Sequence, residues 1–255
     1  MSKTELLNSL ADQEDENELR RYYESLLKDY ESCPKESVVQ KHVQDLIEKI
    51  FINSSIQVVD VSSNSSVTAK HDPSKYAVLS SEECNKASGN KNEKPTPLFK
   101  YKESVHGREN KCRLKLLEEY NKTYECSLTD LKAGAPDIVL AKDFVFENTA
   151  ETESGFTPND KAEYFASFEI KKLGKDLKSI ENNKLEFSQV YCHRSKVGIV
   201  ILTNGRQWNI YGPEDEVIRI SLWKGNDLYP SQWAKLMDKL NKLRRYIDKK
   251  ASVAP

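Results

Sequence analysis

Long apolar runs are what this chain most lacks. Hydrophobic residues make up 38% of its 255 positions and mean hydropathy is −0.70. No stretch approaches the ~18 consecutive apolar residues that read as a membrane span, so no membrane partner is expected. Met1 to Leu10 holds no apolar signal core and the sequence soon turns acidic, which argues against secretion and for an intracellular setting, cytoplasm or nucleus. The five cysteines, Cys33, Cys84, Cys112, Cys126 and Cys192, are odd in number and form no C-x-x-C pair. They read as reduced thiols and support neither a zinc site nor a disulfide frame. No internal repeat and no glycine-rich loop that would cradle a phosphate stands out, so an ATP-driven motor is not expected. Excess charge of one sign is also missing: 39 basic residues face 40 acidic ones. That balance is not the global signature of a nucleic-acid coat protein, although a local basic surface around an acidic pocket needs no overall excess.

What is present is enough chain for one sizeable core, with one to two domains as the prior. Residues 1–17 are polar and are expected to be disordered. Leu19, Tyr22, Tyr23, Leu26, Leu27 and Tyr30 then mark an amphipathic helix whose aromatic stripe suits core packing. Pro34 separates it from a second helix over Glu36 to Phe51, with Val39, Val43, Leu46, Ile47 and Ile50 on one face. Ile56 to Val61 alternates like a strand. From 62 to 97 the composition shifts to Ser, Asn, Lys, Glu and Pro, which reads as a largely disordered insertion broken only by a short patch at Tyr76 to Leu79. Arg113 to Tyr120 fits a helix and Tyr124 to Leu128 a strand. Ile199 to Leu202 and Gln207 to Tyr211 read as a hairpin closed by Asn204-Gly205 in a type I′ turn. Val217 to Leu222 suggests another strand, and Ser231 a cap for a final helix through Ile247. The reading is a single domain over 18–250, followed by a tail at 251–255.

Two segments carry chemistry. In Ala135-Pro136-Asp137-Ile138-Val139-Leu140 a carboxylate opens a short strand. In Phe168-Glu169-Ile170-Lys171-Lys172 a carboxylate and an ammonium share a strand face, because successive side chains alternate: Phe165, Ser167, Glu169 and Lys171 on one side, Ala166, Phe168 and Ile170 on the other. If the strands pair, Asp137 meets Glu169. Two hard carboxylate oxygens at one point suit Mg²⁺ or Mn²⁺, which completes its shell with waters and substrate phosphate oxygens. A lysine beside them orients a water or neutralises a charged transition state.

In order along the chain come Pro136-Asp137, Glu169-Ile170-Lys171, a helix carrying Gln189, the apolar run Val197 to Leu202 closing in Thr203-Asn204-Gly205, and Trp208-Asn209-Ile210-Tyr211. This order resembles the PD-(D/E)xK nuclease superfamily, most nearly the nuclease domains of type I restriction motor subunits and their relatives. The resemblance covers residues 36 to about 212. It implies an α/β fold with a restriction-endonuclease-like core, a central mixed sheet flanked by helices. It further implies that Asp137 and Glu169 hold metal with the Ile170 carbonyl as a candidate third ligand, that Lys171 is the catalytic lysine, and that Gln189 stands near it. The family also expects a glutamate on the first core helix. At 100° per residue Glu36 falls on the apolar stripe one turn before Val39 while Glu48 falls nearly opposite, which favours Glu36. The 31 residues between Asp137 and Glu169 suggest an elaborated hairpin, and leave Asp143 or Glu147 open as a substitute ligand.

The expected activity is metal-dependent phosphodiester hydrolysis, with DNA the favoured substrate; without a motor the chain is expected to act alone, as a homodimer or other oligomer, or with a partner protein. Lys172, Lys175 and Arg194, with Lys178, His193 and Lys196, form one candidate basic surface for nucleic acid. The cations of the last helix, from Lys235 to Lys250, form another. The alternative is an inactive nuclease-like module that binds nucleic acid or a protein.

Overall fold

The computed structural model describes residues 3–61, 77–78, 99–100, 136–148, 156–158, 162–183, 187, 190, 193–194, 197–212 and 217–253. Two helices come first, α1 (Lys3–Ser32) and α2 (Glu36–Phe51). The strands before the centre are β1 (Gln57–Asp60), β2 (Ala77–Val78), β3 (Phe99–Lys100), β4 (Ile138–Lys142), β5 (Phe146–Asn148) and β6 (Phe156–Pro158). Then come β7 (Glu163–Ile170), α3 (Leu177–Asn182), β8 (Val200–Thr203), β9 (Gln207–Tyr211) and β10 (Val217–Ser221). The small strands β11 (Trp223–Lys224) and β12 (Asp227–Leu228) lead into the last helix, α4 (Pro230–Val253).

Six strands form one mixed sheet in the order β1-β4-β7-β8-β9-β10. Only β7 and β8 run parallel, joined by the crossover that contains α3; the other neighbours are antiparallel. The sheet is flanked by helices. On one face Ile138, Leu140, Ala166, Phe168, Ile170, Ile201, Trp208 and Ile220 pack with the apolar stripes of α1, α2 and α4. On the other, Val200, Leu202 and Tyr211 meet Leu177 and Ile180 of α3 together with Val190 and Val197. Both faces of β7 are therefore covered, and residues 165–170 are all buried, where a single buried face had been expected.

Strand β7 also breaks its own alternation. The β4–β7 register sets Leu140 against Ala166 and Ala141 against Tyr164, skipping Phe165. This bulge turns Phe165 into the core of α1, α2 and α4, not onto the face of Ser167 and Glu169 where strict alternation had put it.

Other expectations change at element ends. Helix α1 begins at Lys3, so the disorder expected over 1–17 gives way to helix; the segment contains no glycine or proline and its commonest residues are Leu and Glu, which favour helix. Its stripe packs as expected, with Leu19 and Leu26 fully buried. The last helix starts with Pro230, a residue suited to the first helical position, so Ser231 is not its cap, and it runs to Val253 with Ala251 buried, taking in most of the expected tail. The elaborated hairpin between β4 and β7 is present and carries the β5–β6 pair. Of the 62–97 insertion, Ala77–Val78 pairs with Phe99–Lys100 and the rest lies outside the described residues, as do the helix and strand expected over 113–128. No described helix is long and apolar enough to cross a membrane.

The β8–β9 turn fixes one end of the sheet. Asn204 does not take the positive φ that a type I′ turn demands of both central residues; only Gly205 does, at φ +82°. Instead Asn204 Oδ1 accepts from the backbone N–H groups of Arg206 and Gln207 at 3.0 and 2.6 Å, and Thr203 Oγ1 accepts from Gly205 N at 3.0 Å. A Cβ at Gly205 would lie 2.9 Å from Leu26 Cδ2, and the Gly205 carbonyl accepts from both Tyr22 OH and Trp208 Nε1 at 3.1 Å. Helix α1 is thus tied to the turn.

Candidate active site

Asp137 stands one residue before β4, and Pro136 before it costs no ladder hydrogen bond. Asp137 N donates to Phe168 O at 3.0 Å, and the register that sets Ile138 against Phe168 brings Asp137 opposite Glu169. Directly opposed residues of an antiparallel pair project to the same face. The Asp137 carboxylate turns back onto the sheet, where its Oδ2 accepts from Ile170 N at 2.6 Å.

Glu169 is 3% exposed and lies on the face of α3. One oxygen, Oε1, accepts from Lys171 Nζ at 2.5 Å. The other, Oε2, is enclosed and has no hydrogen-bond partner among the described residues; His193 Nδ1 stands 3.9 Å from it. Lys171 leaves the strand with its N–H on Thr203 O at 2.8 Å, which locks the end of β7 to the end of β8 and aims the ammonium back at Glu169.

A second glutamate arrives from the opposite layer. Glu36, in the first turn of α2, feels the charges of Lys171, Glu169 and Lys172 and accepts from the Lys172 backbone N–H. Glu48 is exposed and bonded by Gln44 Nε2 at 2.7 Å on the same helix. Of the two first-helix candidates the structure brings only Glu36 to the cluster, as the apolar stripe had indicated.

Three carboxylates thus share one ammonium, and the proton affinities reflect the imbalance. Burial, then the like charge of Glu169, push Asp137 well above the usual carboxylate range against the Ile170 hydrogen bond and Lys171. Burial also raises Glu36, with Lys171 opposing it. For Lys171 burial works against the charged form, yet the attraction of Glu169, with Asp137 and Glu36 behind it, more than offsets this and holds its pKa above the ordinary lysine value. Lys171 is therefore an ammonium at neutral pH.

The residues fit a divalent cation in two respects. An enclosed carboxylate oxygen without a donor is costly unless something satisfies it, and three carboxylates facing a single ammonium leave negative charge that a further cation would offset. Among the described residues no group of three or more His, Cys, Asp or Glu side chains is arranged to hold a metal by itself. Asp137 and Glu169 would supply only part of a shell, which matches a small hard ion that keeps several waters.

The remaining expected residues divide. Lys172 and Lys175 are exposed on the loop after Lys171, and Asn204 Nδ2 donates to Lys175 O at 2.7 Å, so this loop is held against the β8–β9 turn. Arg194 is half-buried with Nε on Gly212 O at 2.7 Å, beyond the end of β9 that lies away from the carboxylates, and does not join them. His193 is buried against Glu169, not a surface base; its spacing with Val190 and Val197, one stripe of a helix, was the signal for that. Gln189 lies outside the described residues. Asp143 is exposed with φ 54° in the turn after β4, at the opposite end of that strand from Asp137, and only the backbone of Glu147 is described. The basic residues late in α4 sit at that far end too: Lys242 pairs with Asp238, and Arg244 bonds Ile50 O at the close of α2.

The sequence gives no warning of a second polar centre on the same face. Glu181 of α3 takes three donors on Oε1: Asn209 Nδ2 at 3.0 Å, Tyr211 OH at 2.5 Å and Arg219 NH2 at 3.0 Å. Comparison of the chain with protein-family models, curated proteins and solved structures finds no match in any of the three.

Proposed function

We propose that the chain is a metal-dependent nuclease with a restriction-endonuclease-like core of the PD-(D/E)xK kind, acting on DNA. The observation that carries this reading is the pairing of Asp137 with Glu169 across β4 and β7, with Lys171 on one oxygen of Glu169 and the other oxygen enclosed without a donor. Asp137 and Glu169 would hold Mg²⁺ or Mn²⁺, with the Ile170 carbonyl as third protein ligand. When bound, the ion supplies a water of lowered pKa and screens the phosphate. Lys171, kept protonated by its carboxylate neighbours, orients the attacking water and offsets negative charge as it builds on the phosphoryl oxygens. It does not act as a base. The charge of Glu36, arriving from the other layer, adds to that of Glu169 and Asp137 in favouring the Lys171 ammonium. Lys172 and Lys175 border the site and are placed to meet backbone phosphates.

The test is incubation of the purified chain with supercoiled and linear DNA in Mg²⁺, Mn²⁺ or EDTA. Cleavage that needs the metal and disappears in Asp137→Ala and Lys171→Ala supports the reading; cleavage that persists unchanged in both variants sinks it.

One observation favours the second reading, a binding module without catalysis: the lysine is already closed on Glu169. DNA binding with no metal-stimulated hydrolysis and no heat of Mg²⁺ binding would select it.

A further inference from the structure

The six-stranded register lines up one row of side chains across the face that carries Glu169. Glu169 lies beside Leu202, Leu202 beside Asn209, and Asn209 beside Arg219. With strands about 4.8 Å apart, Asn209 is roughly 10 Å from Glu169 and Arg219 roughly 14 Å. Between α3 and β9–β10 the row opens into a cavity of about 640 Å³ whose polar lining includes Asp176, Lys178, Glu181, Gln207, Asn209 and Arg219.

Two polar atoms in this cavity are uncommitted. Glu181 Oε1 takes all three donors of its cluster, while Oε2 has no hydrogen bond among the described residues and is not sealed off. Gln207 Oε1 accepts from Leu177 N and Asn204 Nδ2, both at 3.3 Å. Because both partners are donors, the amide orientation is fixed by the network, and Nε2 is left as a donor with no partner among the described residues. The cavity therefore offers one uncommitted carboxylate oxygen, Glu181 Oε2, and one neutral donor, Gln207 Nε2; on its exposed side stand a second carboxylate, Asp176, and two cations, Lys178 and Arg219, the latter paired with Glu181 Oε1.

We propose that this cavity receives a guanine base, with Glu181 Oε2 accepting from its N1–H and N2–H₂ edge, Gln207 Nε2 donating to O6, and Lys178 and Arg219 meeting the attached phosphate. Charge decides among the bases. Only guanine sets a ring N–H next to an amino group, a pair of donors that one carboxylate oxygen can take in charge-assisted bonds. Adenine and cytosine put a ring lone pair beside their amino group, and thymine flanks its N–H with two carbonyls, so each offers a carboxylate a single donor with a repelling acceptor next to it. This edge is buried in a duplex, so the base must come from a single strand, an unpaired end or a free nucleotide. Only the link to strand cleavage rests on the nuclease reading; binding of the base does not.

The experiment uses the full chain in EDTA and fluorescein-labelled single-stranded thymidine oligonucleotides carrying one central guanine, adenine, cytosine or inosine, read by anisotropy. Guanine is expected to bind about tenfold more tightly than adenine or cytosine, and inosine, which lacks the N2 amino group, in between. Glu181→Gln and Gln207→Glu should each flatten the order, the second retaining an acceptor for Leu177 N if the first disturbs folding. Lys178→Ala should weaken all four oligonucleotides together. Competition by dGMP as strong as by the guanine oligonucleotide assigns the site to a free nucleotide, and much weaker competition assigns it to a strand; both keep the guanine assignment. Equal affinity for all four oligonucleotides in the native chain, or a guanine preference that survives both substitutions, overturns it. Asp137→Asn separates the two readings, since it should lose cleavage and keep the guanine preference.

Discussion

The two faces of the central sheet are built on opposite terms. Under α1, α2 and α4 the buried set is almost wholly aliphatic and aromatic, from Leu19 through Trp208 to Ile247. Under α3 the same strands bury Ser167, Glu169 and Asn209 next to Val200 and Leu202. A buried apolar side chain gives up nothing when water leaves, whereas a buried carboxylate without full hydrogen bonding costs free energy. The first face therefore supplies stability, and the second uses part of it to keep charged groups out of water. Stabilising substitutions should be available on the second face and absent from the first, because sites shaped for chemistry are rarely optimal for folding.

That contrast can be broken in order of effect. Glu169→Gln is expected to lower metal-dependent cleavage by about a thousandfold or more with little change in thermal midpoint, measured by gel assay and calorimetry on the same sample. Loss of fold in place of loss of activity would put Glu169 among the stabilising residues. Trp208→Ala on the apolar face should remove about 3–5 kcal/mol of stability, read by urea denaturation. A cost like that of a surface change would end the distinction between faces. Gly205→Ala should cost about 1–3 kcal/mol, because it combines a positive φ with a Cβ placed against Leu26; a neutral result would mean the tie between α1 and the turn is loose.

Smaller in size but sharper in sign is Asp137→Asn. The folded chain raises the Asp137 pKa through burial and the Glu169 charge. Between the unfolded value near 4 and that raised value the folded state binds more protons than the unfolded one. Stability contributed by this group is thus present at low pH and is lost as pH rises through the window. Asparagine removes the titration and can keep the Ile170 hydrogen bond. The metal-free variant should melt higher than the native chain at neutral pH, by a margin that shrinks as pH falls toward 4, and should no longer be stabilised by Mg²⁺. A lower midpoint at neutral pH would contradict the destabilising charge assigned to this carboxylate.

The sequence displayed the apolar framework better than the polar one. Periodicity placed α2 with its inward stripe, the β8–β9 hairpin and the face of Glu36, because each depends on short-range spacing. That Asp137 meets Glu169 was legible only on the condition that their strands pair, because β4 is a continuous apolar run and β7 is interrupted at Phe165, so alternation could not fix the register. What stayed hidden depends on contacts between distant segments. The bulge at Phe165 reverses one side chain without any glycine to announce it. The Asn204 turn is set by side-chain acceptors and not by its dipeptide. Glu181 meets Asn209, Tyr211 and Arg219 only after three separate elements have assembled, and no spacing within 177–182 points to them.

The shared register has one last consequence. Glu169, Leu202, Asn209 and Arg219 are aligned by the same ladder that buries Trp208 on the reverse side. A slip of β9 by a single residue would exchange the two sides of that strand, driving an indole toward α3 and an amide into the hydrocarbon. Correct packing of the core and assembly of the Glu181 cluster are therefore one decision, and a chain that misaligns this hairpin takes Asn209 and Tyr211 away from Glu181 as it exposes the indole.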